Sequence, residues 1–546
     1  MEENKTTDIS KKILIVFSIV VAIFSIGLPL KEFQNDTFFN ISIGKYILKN
    51  GIDMQEHFTW VKDVTYYTYS HWAFDILISL IYDIGNYDGI YIFVIIFTIF
   101  TNVSLFILTY KRYKSPFVSL IITLSSTFFI RTCYTARSQL LSFVCFLYEI
   151  YAIEQYIDTG KKKYAIYIFI LSIIVANFHA ATWPLMVVLM LPYLACGFLK
   201  IISRKGIYTS CQKFFEKKAK KYPEDSEKYK ENMDLSVEYK GFADAIKPPV
   251  FTRLEIKDNY RFKGLLIICI ILLFTGLLTP IGNVPYTYII NSMLGNSHME
   301  DGHMSVDYVA EMTPTAPILH MPMIYFCLTL LGMLIFLPIN IREEHGFLIL
   351  GLLLMALIST RYMYLLVFIG SFVLVDLLVK ATNKLIPEDI QGLEKLCAKP
   401  LAIILMFAMA IGYTTFLSVQ KISDSYITED NYPIKATEFI INNLDYKNIR
   451  IFNSYDYGSY LMFHGIPVFI DSRLDVYCAE FSGVDVFKDF IDFQRGRLTY
   501  YDMIEKYDFT HFLMNQGANN VPYMEKSKEL KTIYSDDNYI IFEVLK

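Results

Sequence analysis

Charge is scarce in this chain. Asp, Glu, Lys and Arg make up 19% of its 546 residues, against about 25% in an average soluble domain, and those present are clustered. The formal net charge of −4 leaves no basic footprint, so no nucleic-acid partner is expected. Cysteine is present, but without the spacing that gives it work. The eight cysteines form no CxxC and no Cys/His ligand pattern, which excludes a disulfide framework and a structural zinc site. Cys145, Cys196, Cys269 and Cys327 fall inside apolar runs, where cysteine behaves as a small hydrophobe. No small-residue cleavage site follows the first apolar run, Ile13–Leu28, so it is read as an uncleaved first span. No internal repeat and no mid-membrane run of charges is found, which argues against a transporter.

What the chain has instead is apolar length. Runs at 13–30, 88–110, 115–131, 140–157, 164–179, 183–200, 263–280, 322–339, 346–360, 362–380 and 401–419 predict a polytopic α-helical membrane protein of about 11 transmembrane helices. The stretch 72–86, "WAFDILISLIYDIGN", is apolar but short and carries Asp75 and Asp83. Read as an interfacial amphipathic helix rather than a span, it leaves the basic clusters 111–114, 160–163, 200–263 and 380–400 on the inner face, as the positive-inside rule requires. The transmembrane domain is then 1–419, with 31–87 a large outer loop and 200–263 a charged cytoplasmic loop drawn electrostatically to anionic headgroups.

After residue 419 the pattern changes. Helical spacing at 435–444, 483–493 and 499–507 alternates with apolar strand-like stretches at 449–454, 467–473 and beyond residue 509. This predicts an extracytoplasmic α/β domain over 420–546. Gly458 lies near a strand-to-helix turn, where it serves turn geometry or lets backbone approach a ligand. Asp471 and Arg473 fall at a strand end, where α/β domains place function; a local ion pair that fixes the loop explains them equally well.

Ionisable groups at the rims of spans are costly unless they face a cavity. On the outer face these are Asp36, Glu56, His71, Asp75, Arg131, Arg137, His179, Glu311 and Arg361. Carboxylates able to take a proton from a hydroxyl, together with fixed positive charge for a departing phosphate, suit transfer chemistry. Asp36 and Glu56 could instead hold a divalent cation, Mg or Mn, through oxygen ligands. Each has a plainer reading. Asp36 suits a helix cap, His71 beside Trp72 an aromatic interfacial belt, and Arg361 the punctuation of a short hairpin.

Taken in order, "NDTFFNISIGKYILKNGI", "EHFTW", "YSHWAFDIL", "ARSQLLSF", "ANFHAATW", "TPIGNVPY…VAEMTPT", "STRYMYLL" and "NSYDYGSYL…PVFIDSRLDVY" resemble the GT-C superfamily of integral-membrane glycosyltransferases, in a largely uncharacterised bacterial branch. The resemblance covers nearly the whole chain except 200–263. It departs from the common pattern at "EH" (56–57), where relatives often have Asp-Pro, and at Ser138, where proline is common.

The resemblance implies a multi-pass bacterial plasma-membrane enzyme that moves a sugar from a polyprenyl-phosphate donor to an envelope glycan, lipid or protein acceptor. Asp36 is the expected general base, with Glu56 and His71 beside it in the catalytic set. Arg137, Gln139, His179 and Arg361 are expected at the donor phosphate, and Glu311, Asp471 and Arg473 at the acceptor or behind it. A divalent metal is optional. The alternative is an inactive GT-C-like scaffold or glycan-binding protein of envelope assembly.

Overall fold

A computed structural model describes residues 2–245, 254–255, 261–294, 313–316, 320–421 and 424–545. Glu311 lies outside the described residues. The first apolar run forms α1 (Glu2–Ile26), and α2 (Asn35–Asn50) follows with Asp36 in its first turn. A carboxylate there meets the unpaired N–H groups of a helix start. Gly51, at φ 84°, ends the helix, in a left-handed region that glycine enters without strain.

The 42-residue α3 (Trp72–Tyr113) is broken at Asn86, φ 51° and ψ −143°. Its first part packs on α2 at Gly44, where a Cβ would lie 2.1 Å from the backbone oxygen of Asp75. Only glycine permits that approach.

The bundle continues through α4 (Pro116–Phe129), α5 (Gln139–Thr159), α6 (Lys162–Phe178), α7 (Pro184–Val188) and α8 (Leu191–Ile202). The expected span 183–200 is interrupted at residues 189–190, just before Pro192 enters the first turn of α8, where its missing N–H does no harm. The charged helices α9 (Arg204–Ala219) and α10 (Glu227–Ala245) pack mainly on each other. Then come α11 (Phe262–Thr275), α12 (Val284–Leu294), α13 (Met321–Phe336), α14 (Glu343–Ile358), α15 (Arg361–Leu385), α16 (Pro387–Cys397) and α17 (Pro400–Gln420). A minimal parallel pair joins β1 (Leu254–Glu255) to β2 (Ile341–Arg342).

Among the described residues, five helical stretches are long and apolar enough to cross a membrane: 72–113, 139–159, 180–202 (α7 and α8 taken together), 361–385 and 400–420. The shorter apolar helices α4, α11 and α13 have 14, 14 and 16 residues. They rise only about 21–24 Å, less than the ~30 Å of a hydrocarbon core.

One end of the bundle is closed by a buried charge network. Arg342 reaches Glu154 of α5 and Asp376 of α15, each at 3.3 Å, and His345 of α14 lies 2.8 Å from Glu154 and 3.2 Å from Asp376. Arg112 of α3 pairs with Glu154 and Asp158. Cations and carboxylates alternate, as buried charges require, and four helices are tied together there.

Past α17 the chain forms α18 (Ile434–Asn443), β3 (Ile451–Phe452), α19 (Gly458–Phe463), α20 (Leu474–Tyr477), α21 (Ala479–Ser482), α22 (Val486–Gln494), α23 (Tyr500–Tyr507), β4 (His511–Asn515), α24 (Val521–Met524), β5 (Leu530–Ser535) and β6 (Tyr539–Val544). The sheet order is β3-β4-β6-β5. β3 and β4 run parallel with Phe452 opposite Phe512, and the other neighbours are antiparallel. Phe452 is the centre of an aromatic core with Phe469, Phe490, Phe493, Phe509 and Phe512 around it.

The expected strand 467–473 does not join this sheet. Its backbone pairs with the loop between α2 and α3 instead: Val468 N donates to Phe58 O at 3.1 Å and Trp60 N to Val468 O at 3.2 Å. Trp60 Nε1 donates to Ile451 O at 3.1 Å, and Trp60 meets Phe509 edge-on at 5.0 Å between centroids. Loop and C-terminal domain therefore share one core.

Candidate functional site

Where the bundle meets the C-terminal domain, opposite the charge network, lies a cavity of about 320 Å³. Asp36, His71, Arg137, Gln139, His179, Arg361 and Arg473 all line it. Each comes from an element boundary: the first turn of α2, the residue before α3, the turn entering α5, the end of α6, and the starts of α15 and α20. Helix ends are where backbone groups lack intrahelical partners, so polar side chains gather there at one depth of the bundle.

Arg137 forms an ion pair with Asp36. The two side chains are 23% and 18% exposed, which leaves both accessible from the cavity. The imidazoles of His71 and His179 face each other at 4.8 Å between centroids. Ser142 Oγ lies 2.9 Å from His179 Nδ1, and Ser70 Oγ lies 3.2 Å from His71 Nδ1. Burial, reinforced by the positive charges of Arg137 and Arg361, lowers His71 to about 3. Burial also holds His179 well below its ordinary value, with His71, Arg361 and Arg137 adding to the effect. Both rings are thus neutral at pH 7, and fixed cationic charge comes from the guanidiniums alone. A second, smaller hollow of about 70 Å³ adjoins the cavity and shares Gln34, Arg137, Gln139 and Arg361 with it.

Two expected site residues are elsewhere. Glu56 takes Arg473 Nη1 at 2.7 Å and Nη2 at 3.0 Å, and it also accepts the backbone N–H groups of Phe58 and Thr59 at 2.7 and 3.1 Å. Asp471 takes Arg473 Nε at 2.9 Å, Nη2 at 2.6 Å and Tyr477 Oη at 2.7 Å. Glu56, Asp471 and Arg473 side chains are at most 1% exposed. The carboxylate lone pairs of Glu56 and Asp471 are spent on a buried lock that joins the loop between α2 and α3 to the segment entering α20. Glu56 is therefore separated from the cavity, and an Asp36–Glu56 metal pair does not fit the geometry. Among the described residues no group of three or more His, Cys, Asp or Glu is arranged to hold a metal ion.

Gly458 serves chain packing. A Cβ there would lie 2.0 Å from Ile470 O, so glycine lets α19 touch the segment that carries Asp471 and Arg473.

Several lining residues escaped the sequence reading. Asp475 and Asp456 line the cavity, as does Tyr288 from α12. Asp475 follows Arg473 by two residues in "DSRLDVY", and that spacing was the available signal. Nothing local distinguishes Asp456 from an ordinary turn aspartate.

No family model matches the chain, and no curated protein sequence matches it. Its fold, however, is shared with solved structures of an archaeal oligosaccharyltransferase. The AglB protein of Archaeoglobus fulgidus, in complex with an inhibitory peptide and a dolichol-phosphate, superposes with a TM-score of 0.55 at 12% identity, covering 92% of this chain and 69% of that one. The apo form of the Archaeoglobus fulgidus oligosaccharyltransferase gives 0.53 at 12% identity, over 98% and 74% of the two chains. The same enzyme tethered to an acceptor peptide containing the NVT sequon gives 0.51 at 12% identity. At that identity the likeness is one of fold.

Proposed function

We propose that this chain is a membrane glycosyltransferase that moves a sugar from a polyprenyl-phosphate donor to an envelope glycan, lipid or protein acceptor on the outer face of a bacterial plasma membrane. One observation carries the reading: a carboxylate, Asp36, and two guanidiniums, Arg137 and Arg361, share a cavity at the rim of an apolar bundle. The fold shared with an oligosaccharyltransferase that has been solved with a dolichol-phosphate agrees with it. The charge bias of the Lys-rich α9 and α10 supports a cytoplasmic side for the opposite end of the bundle.

The step is a displacement with inversion. An acceptor hydroxyl oxygen attacks the anomeric carbon of the donor sugar, and the bond from that carbon to the phosphate oxygen breaks. The phosphate leaves with the electron pair, and Asp36 takes the hydroxyl proton. Arg137 and Arg361 neutralise the charge that develops on the phosphate. The resting ion pair gives the site an order of events. A phosphate competing for Arg137 frees Asp36, so donor binding readies the base.

Asp36→Asn keeps the side-chain shape and loses the base. Purified protein in lipid nanodiscs, supplied with polyprenyl-phosphate hexose and envelope acceptors, is expected to lose at least 100-fold in transfer, the scale of general-base catalysis. Transfer at the wild-type rate by Asp36→Asn removes the assignment.

A further inference from the structure

Two phenols that line the cavity, Tyr67 and Tyr288, have no part in the step just described. Among the described residues neither hydroxyl has a hydrogen-bond partner, and both hydroxyl oxygens keep accessible surface. A lining O–H without an acceptor is a group for a ligand to satisfy. Their neighbours tell the two apart. Tyr67 lies against Arg473, whose guanidinium is 4.8 Å from the ring centroid, and that cation is already matched by Glu56 and Asp471. The charges around Tyr288 are those of Asp475, Arg361 and Asp36, all residues of the cavity lining. Its hydroxyl therefore points inward, to the part of the cavity that holds the base and a guanidinium.

The ring is held in place from outside the cavity. Tyr288 belongs to α12 and packs on Phe481 of α21 at 5.0 Å between centroids. An aromatic contact places the hydroxyl, which leaves its proton free for a substrate. Burial raises the phenol above its ordinary value; the Asp475 carboxylate adds to this, Arg361 opposes it, and Asp36 adds to it again. At neutral pH the group is an uncharged O–H donor.

The acceptor for that donor has to arrive with the substrate. Asp475 already takes Thr68 Oγ1 at 2.7 Å, and Asp36 takes Arg137. When the sugar departs, the donor phosphate is left as a monoester with three acceptor oxygens. A hydroxyl beside Arg361 adds a donor there without adding a charge, and in a small, water-poor cavity such a fixed donor counts for more than in water.

We propose that Tyr288 is a further ligand of the donor phosphate, its Oη donating a hydrogen bond to a phosphate oxygen beside Arg361. The proposal rests on the transferase reading and adds a catalytic residue to it. The phenol keeps its proton throughout, so the bonds made and broken in the transfer are unchanged.

The test uses the full chain in nanodiscs. Tyr288→Phe removes the hydroxyl and keeps the ring on Phe481. Calorimetric titration with a short-chain polyprenyl phosphate is expected to show affinity weakened about 10- to 100-fold, the range of a hydrogen bond to a charged group. The matching polyprenol, which lacks the phosphate, is expected to bind wild type and variant equally. In turnover with polyprenyl-phosphate hexose, Tyr288→Phe is expected to lower kcat while the acceptor KM stays at the wild-type value. Equal affinity of wild type and variant for the polyprenyl phosphate overturns the proposal. So does an equal loss for phosphate and polyprenol, which would make the hydroxyl structural, or a raised acceptor KM at unchanged kcat, which would move it to the acceptor. Tyr288-dependent phosphate binding by a wild type that transfers no sugar would retire the transferase reading and leave the phosphate ligand standing.

Discussion

His71 and His179 meet at a tilt beside two guanidiniums, and their neutrality links this site to stability. In the unfolded chain each has a pKa of about 6.5; in the folded one His71 is held at about 3 and His179 well below its ordinary value. Between those values the unfolded state binds more protons, so stability rises with pH there. The contribution is complete above pH ~6.5 and is lost as pH falls toward the folded values. Thermal midpoints of the purified protein should therefore be level above neutrality and decline from about pH 6.5 to 4.5. Replacing both imidazoles, as in His71→Gln with His179→Gln, should flatten that decline. An undiminished slope in the double variant would assign the acid lability to other groups. Asp36 was legible at this scale because it is an acid standing a few residues beyond a span, among aromatics. Glu56 was misplaced because side-chain partnership is not written in sequence: Arg473, over 400 positions away, claims it.

At the scale of elements, the Glu56–Arg473–Asp471 lock fastens the loop between α2 and α3 to the segment leading into α20. Both carboxylates are buried against a single guanidinium, so removing it strands two charges. Arg473→Met is expected to destabilise the protein by about 3–5 kcal/mol, read as a lowered thermal midpoint or earlier proteolysis of the C-terminal domain. Arg473→Lys should recover only part of this, since an ammonium cannot reproduce the forked contacts. A wild-type midpoint in Arg473→Met would show that the lock contributes little. The short apolar run Val468–Ile470 explains the strand expected over 467–473. The segment does make extended backbone contacts, but with residues 58–60, a partner no local pattern can name.

Over the whole molecule, two chemically different ends are separated by apolar helices. Arg137 and Arg361 stand at the starts of α5 and α15 on the cavity side, while Glu154 and Asp376, farther along the same helices, join the charge network. This predicts a sidedness that thiol labelling reads. In a background lacking the other cysteines, Cys211 of α9 should react with a membrane-impermeant reagent only after cells are opened. A cysteine placed at the exposed Asp430 should react in intact cells. Labelling of Cys211 but not of position 430 from outside would reverse the orientation, and with it the compartment of the cavity.

The sequence by itself determined the apolar helices, the clustering of charge between them, and the change of character near residue 419, because hydrophobic length and periodicity are local properties of the chain. It also marked Asp36, Arg137, His179 and Arg361, since an ionisable group at a membrane rim is costly wherever it sits. Only the tertiary structure decided which of the marked groups share a cavity and which pair off elsewhere. It drew Asp475 into the cavity and withdrew Glu56 and Asp471 into a lock. The reason is that burial and partnership come from the packing of the loop between α2 and α3 against residues hundreds of positions away, and no local pattern records that contact.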